Sequence, residues 1–246
     1  MVNGITLALI EVLLIFCGGF ALRYSSQRLR QINQISYYWF ILTIVTGFFW
    51  ETSYIANYNS IGNYSQLLID ENKTVWTEDY SIINVFPNLF AYLFYSTYAA
   101  WADREYMSTT DDWSRVVESS HAIFCGLFAA MAIGFKINGN QFEYIIAMTL
   151  SMGSQIMNSL LYLVEYFIQT NDLNNVNYNS ESFPTGIMLS NRPFMWINIF
   201  WLLMPTYTII YYLCMYRKRK YRIYSEREFN IELNNDLEAK LIDKDC

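Results

Sequence analysis

The stretch Arg115–Phe135, "RVVESSHAIFCGLFAAMAIGF", decides how this chain has to fold. After its first residue it is mostly apolar for about 20 residues, the length of helix that crosses the hydrocarbon core of a bilayer. Its first turns nevertheless hold Glu118 and His121, and His121 is the only histidine of the chain. Ionisable groups are costly inside a membrane span, so both residues are candidate functional groups.

The composition of the whole chain is typical of a membrane protein. Its 246 residues are 54% apolar, 18% aromatic and 15% charged, whereas soluble domains carry about 25% charged residues. The net charge of −6 argues against a nucleic-acid-binding protein. The four cysteines show no paired spacing, and with one histidine they give no zinc or haem signature; no phosphate-binding loop or nucleophile motif is present. We therefore expect no metal, no cofactor and no nucleic acid.

Five apolar segments are long enough to span a bilayer. They are Gly4–Leu22, Tyr37–Tyr58, Val116–Phe135, Phe142–Ile168 and Phe194–Tyr216. Arginines follow the first span, and the basic run Arg217–Arg222 follows the last, so both regions should face the cytosol. The loop after span two is acidic and carries Asn-x-Ser/Thr sequons at Asn63 and Asn72, as a lumenal loop would. Five spans meet these conditions, with a lumenal N-terminus and a cytosolic C-terminus.

A sixth segment, Ser81–Trp101, is long enough to span but contains a proline, an asparagine and several hydroxyls. A sixth span would place Arg217–Arg222 in the lumen, so we predict an interfacial or re-entrant helix instead. The predicted fold is an all-α polytopic membrane protein with five transmembrane helices and this additional helix. Residues 1–35 form the first span and a cytosolic loop, 36–216 a membrane domain, and 217–246 a charged, solvated cytosolic tail.

Polar side chains recur on one face of four predicted spans, at steps of three and four residues. They are, in chain order, Glu51, Tyr54, Glu118, His121, Gln155, Asn158, Tyr162, Asn198 and Trp201. In the five-span topology they all lie in the lumenal half of the bilayer, which favours a shared polar pocket. Alternatives stay open: Gln155 and Asn158 could form interhelical hydrogen bonds, and Glu118 and Trp201 could lie at the interface.

Three segments resemble the emopamil-binding protein family, also called the EXPERA domain. "TYAAWADREYMSTTDDWSRVVESSHAIFCGLFAAMAI" (Thr97–Ile133) is similar to its Tyr-Ala-x-x-Asp-x-Arg-Tyr-like stretch and the following span that opens with Met-Glu-x-x-Thr-Ala. "SMGSQIMNSLLY" (Ser151–Tyr162) and "NIFWLLMP" (Asn198–Pro205) resemble its Ser-x-Gly-Gln…Leu-Tyr and Asn-x-x-Trp-x-x-x-Pro spans. The segments follow the family's order and cover about residues 47–205, so residues 36–216 are predicted to form an EXPERA-like domain.

The resemblance implies a sterol Δ8–Δ7 isomerase of the endoplasmic reticulum, which protonates a ring alkene and then removes a proton from the carbocation without a cofactor. It implies that Glu118 is the catalytic glutamate and Glu51 a second acid, while Asn198 orients the substrate and Trp201 stabilises the cation through its π face. His121 joins them as a third proton-handling residue. The remaining polar residues are predicted to bind substrate: Tyr54, Gln155, Asn158 and Tyr162. Expected partners are a sterol or another apolar polycyclic ligand, the lipid bilayer and a second copy in a homodimer.

One departure from the family keeps other functions open. The family has histidine four residues before the span-two glutamate, whereas this chain has Gly47. That absence favours a non-catalytic sterol-binding or trafficking protein, while Glu118, Asn198 and Trp201 favour the enzyme. A lipid-anchored scaffold whose acidic tail recruits partners is a third interpretation.

Overall fold

The computed structural model describes residues 1–103, 114–169 and 193–242. Its α-helices are α1 (Gly4–Ser25), α2 (Gln27–Arg30), α3 (Gln34–Val45), α4 (Glu51–Asp70), α5 (Pro87–Trp101), α6 (Ser119–Asn138), α7 (Gln141–Gln169) and α8 (Pro193–Ile242). Single π-helical turns occupy Thr46–Trp50 and Ser114–Glu118, and a 3₁₀ turn occupies Ile82–Val85. Two-residue strands β1 (Val2–Asn3) and β2 (Asp79–Tyr80) pair antiparallel. The predicted all-α class is confirmed.

The chain divides into two compact units, Met1–Thr206 and Tyr207–Cys246. The first unit contains α1 to α7 and the start of α8, and every site described below lies within it. In the second unit α8 stays helical as far as Ile242. The charged tail, predicted as a solvated extension, is therefore helical over most of its length.

Four helical segments are long and apolar enough to cross a membrane: Gly4–Ser25, Gln34–Asp70, Arg115–Asn138 and Met195–Lys218. They correspond to four of the five predicted spans. Helix α7 corresponds to the remaining one and has 29 residues, or about 43 Å of helix. It is not one of the four because polar residues between Ser151 and Ser159 lower its mean hydropathy.

Helix α5 has 15 residues, which gives about 22 Å of helix against a hydrocarbon core of about 30 Å. It is therefore too short to cross the bilayer alone. Pro87 provides its first residue, a position where the missing amide hydrogen costs no helical hydrogen bond. The helix packs along α4, where the Ser53 hydroxyl donates to the Asn88 carbonyl at 2.6 Å. This packing brings the aromatic face of α5 into the bundle.

The surface of α7 is the inverse of that of a soluble helix. Its buried polar residues are Ser151, Gln155 and Ser159, and its exposed apolar residues include Ile146, Leu150, Met157, Leu161 and Val164. Helix α1 likewise exposes most of its large apolar side chains. Polar groups inside and large apolar surfaces outside are stable in an apolar solvent, so this distribution supports a membrane environment.

The long helical segment Gln34–Asp70 crosses α6 at a pair of glycines. A Cβ atom at Gly47 would lie 2.5 Å from the Ala122 carbonyl oxygen, and one at Gly126 would lie 3.2 Å from the Thr43 carbonyl oxygen. Only glycine permits such a close approach of two backbones. The π-helical turn Thr46–Trp50 begins at this crossing and leads directly into α4, and such turns are frequent at functional sites.

Basic side chains hold one end of the first unit together. Arg23 and Arg28 donate to the carbonyls of Ile32 and Ile137 at 3.0 and 2.7 Å. Lys136 follows at the same end, where its ammonium donates to Gln141 Oε1 at 3.0 Å. The acidic residues after α4 lie at the opposite end of the 37-residue segment Gln34–Asp70. The unit therefore has a basic end and an acidic end.

Candidate functional site

A cavity of about 160 Å³ lies inside the first unit, among α3 to α7 and the start of α8. Seven of the nine predicted site residues line it: Glu51, His121, Gln155, Asn158, Tyr162, Asn198 and Trp201. The rest of its wall includes residues that we did not predict: Thr43, Thr46, Trp50, Phe94, Tyr95, Tyr98, Ala122, Cys125, Ser159 and Ile197. The polar residues that were predicted to lie at the same depth in the bilayer therefore mostly line one cavity.

The other two predicted residues have different positions. Glu118 ends the π-helical turn Ser114–Glu118, directly before α6, and its side chain lies outside the described part of the structure. Tyr54 is fully buried, and its ring centroid lies 4.9 Å from that of Tyr95 and 5.7 Å from that of Tyr58. Tyr54 therefore packs behind the cavity wall and supports it.

Glu51 contributes a buried carboxyl group to the cavity wall. Its side chain is buried, and the Tyr95 hydroxyl donates to Oε1. Among the described residues Oε2 makes no hydrogen bond of normal geometry, and neither does the buried hydroxyl of Ser119 at the start of α6. That hydroxyl nevertheless lies close enough to interact with the Glu51 carboxyl. Sequence reasoning missed Tyr95 because α5 was predicted to lie at the interface. The Tyr95 hydroxyl therefore fixes the orientation of the Glu51 carboxyl.

His121 lies one helical turn before Cys125, and its Nε2 atom is 3.3 Å from the Cys125 sulfur. Both side chains line the cavity. His121 also directly precedes Ala122, whose carbonyl abuts Gly47 at the helix crossing. The crossing has no room for a side chain at position 47, and the imidazole comes instead from the facing helix.

Gln155 connects α7 to α3 through two side-chain hydrogen bonds. Its Oε1 accepts from Trp39 Nε1 at 2.9 Å, and its Nε2 donates to Thr43 Oγ1 at 3.2 Å. The Trp39 ring in turn packs edge-on against Trp201, with ring centroids 4.6 Å apart. The sequence left open whether Gln155 forms interhelical hydrogen bonds or lines a pocket, and the structure shows that it does both.

Tyr162 is held by an acid that sequence reasoning did not select. Its hydroxyl donates to Asp103 Oδ2, and the Asp103 side chain is fully buried. Asp103 lies within the quoted stretch that begins at Thr97, directly after α5. The signal available in the sequence was an aspartate two residues after the end of an apolar helix. The structure identifies Asp103 as the residue that orients Tyr162.

Comparison of the chain with protein-family models, with curated proteins and with solved structures finds no match. The resemblance to the emopamil-binding protein family stays a prediction from three short segments. The chemistry of the site follows from the residues that line the cavity. It places a carboxyl and an imidazole, groups that transfer protons, beside aromatic faces that stabilise cations.

Proposed function

We propose that this chain is a membrane isomerase of the endoplasmic reticulum that shifts a ring double bond in a sterol, from Δ8 to Δ7, or in a related terpenoid. The observation that carries the proposal is the cavity in which Glu51 and His121 share a wall with Trp201 and other aromatic rings. Proton transfer to an apolar ligand forms a carbocation, and water would react with that cation. A cavity lined by aromatic rings provides an apolar surrounding for this step.

The reaction needs no oxidant, reductant or cofactor. A carboxyl proton adds to one alkene carbon, and the π electrons form the new C–H bond, which leaves a tertiary carbocation. A base then removes a proton from the carbon on the other side, and the electrons of that C–H bond form the shifted double bond. Glu118, Glu51 and His121 handle these protons, Asn198 orients the ring system, and the π face of Trp201 stabilises the cation.

Three features favour a second candidate, a sterol-binding or trafficking protein without catalysis. Glu51 already accepts a hydrogen bond from Tyr95, and His121 already contacts Cys125. The family's span-two histidine has no room at Gly47. In this case the same side chains would recognise a polar group on a sterol rather than move protons.

We also propose the five-span topology, with α7 as the fifth span, the N-terminus in the lumen and the tail in the cytosol. The basic and acidic ends of the unit agree with this orientation. Asn72 tests it, because this sequon residue is exposed in a turn after α4. We expect a glycan that an endoglycosidase removes, and, in a chain that carries Asn63→Gln, we expect Asn72→Gln to abolish it. A sequon inserted after Lys218 that becomes glycosylated would refute the orientation.

Complementation of cells that lack sterol Δ8–Δ7 isomerase tests the activity, with sterols measured by mass spectrometry. We expect Δ7-sterol from the wild-type chain and none from Glu118→Gln or Glu51→Gln. Glu143→Gln is the matched control, because Glu143 is exposed in the first turn of α7. Unchanged Δ8-sterol with normal membrane expression would exclude this substrate, and Δ8-sterol that binds without conversion would favour the second candidate.

A further inference from the structure

Helix α1 contains one buried acid in an otherwise apolar and exposed segment. Glu11 is 1% exposed, whereas its neighbours Val12, Leu13 and Leu14 are 49%, 61% and 54% exposed. A carboxyl within a membrane span is costly unless it has a partner or a function. Glu11 belongs to none of the predicted polar stripes and does not line the cavity.

The partner of Glu11 is a residue of the cavity wall. The Trp50 indole Nε1 donates to Glu11 Oε1 at 3.4 Å, and among the described residues Glu11 Oε2 has no hydrogen-bond partner. The Trp50 ring lines the cavity and packs against Phe94, with centroids 5.2 Å apart. The indole therefore separates α1 from the interior of the cavity, next to Glu51.

Helix α1 is attached to the rest of the unit at both ends. The Tyr37 hydroxyl donates to the Gly19 carbonyl at 2.7 Å, and β1 pairs with β2 at the other end. Between Leu7 and Gly18, within the described residues, Glu11 alone forms a hydrogen bond to another element. The Glu11–Trp50 contact is thus the polar connection between the middle of α1 and the cavity.

We propose that Glu11 is a positioning residue that holds the Trp50 indole as the cavity wall towards α1, and so limits the size of the ligand. The inference rests on the proposed function only in treating the cavity as a ligand site. Without the carboxyl, the indole loses its fixed rotamer and the cavity opens towards α1. Glutamine at position 11 keeps an oxygen acceptor at the same place and should preserve the wall.

The position of Trp50 is tested without any ligand. Protein labelled with 5-fluorotryptophan gives one ¹⁹F resonance per tryptophan, and Trp50→Phe identifies the resonance of Trp50. We expect Glu11→Ala to shift or broaden that resonance, and Glu11→Gln to leave it near its wild-type position. Leu13→Ala, a lipid-facing change on the same helix, should have no effect. A Trp50 resonance that Glu11→Ala does not move would overturn the inference.

The effect on the ligand is tested with dehydroergosterol, a fluorescent sterol, in a double-mutant cycle. We expect Glu11→Ala and Trp50→Phe each to change its dissociation constant about three- to tenfold, which lies within the span of interaction energies for residues in contact. The double variant should resemble Trp50→Phe alone, and Glu11→Gln should restore wild-type binding. Additive effects would refute the positioning role. A wild-type chain that binds no dehydroergosterol, together with a shifted Trp50 resonance in Glu11→Ala, would refute the sterol function and support the inference.

Discussion

Gly47→Ala adds one methyl group at the crossing of the segment Gln34–Asp70 with α6. The new Cβ atom would lie 2.5 Å from the Ala122 carbonyl oxygen and 3.1 Å from the Gly126 Cα atom. Ordinary contacts begin at 3.4 Å, so the backbones must separate by about 1 Å. Both obstructing atoms belong to the backbone and cannot rotate away. Overpacking of this kind costs about 1–3 kcal/mol of unfolding free energy.

The same separation should reduce activity under the proposed function. Ala122 follows His121 directly, and Glu51 lies four residues after Gly47, so the change moves the two proton-handling groups apart. A misplacement of about 1 Å can cost about 10²-fold in rate. We expect a loss of this order in Δ7-sterol formation. Gly47→His, which introduces the family's span-two histidine, should be more damaging still.

Gly134→Ala is the matched control for this substitution, since Gly134 lies on α6 and its Cβ would meet no atom within 4 Å. Alanine is favoured over glycine in a helix by about 1 kcal/mol, so this variant should be slightly more stable than wild type. The measurement is unfolding of purified protein in mixed micelles by increasing sodium dodecyl sulfate, followed by tryptophan fluorescence. If Gly47→Ala is as stable as Gly134→Ala, the close approach does not exist as described.

Three further predictions concern the cavity wall. Gln155→Leu should lower the unfolding free energy by about 1–2 kcal/mol in the same assay, because it leaves the Trp39 indole without its acceptor; a neutral effect would contradict the hydrogen bond. Tyr95→Phe should reduce isomerisation about 10²-fold, the lower end of the range for loss of a positioned proton-transfer group, with sterol binding retained, because Glu51 loses its orienting donor; unchanged turnover would exclude that role. In a variant without the exposed cysteines, sterol should slow labelling of Cys125 by a methanethiosulfonate reagent, because Cys125 lines the cavity; equal labelling rates would place the sterol elsewhere.

The sequence alone determined the features that are local. A long uninterrupted apolar segment predicts a membrane helix wherever it occurs. This criterion identified four segments that are helices long and apolar enough to cross a membrane in the structure. Helical periodicity placed Gln155, Asn158 and Tyr162 on one face of α7, because residues three and four apart share a face in any α-helix. Their predicted depth in the bilayer, which matches that of Glu51 and His121, then indicated that these residues share one pocket.

The tertiary structure decided which residues become partners, because partners depend on which helices face each other. Tyr95 became the partner of Glu51 only because α5 packs along α4, and Glu11 acquired a role only because α1 lies against Trp50. Nothing in the sequence around Gly47 indicates that a carbonyl of α6 lies 2.5 Å from its absent Cβ atom. Periodicity shows which residues share a face, whereas partners across an interface are set by the packing of whole helices, to which every residue of both surfaces contributes.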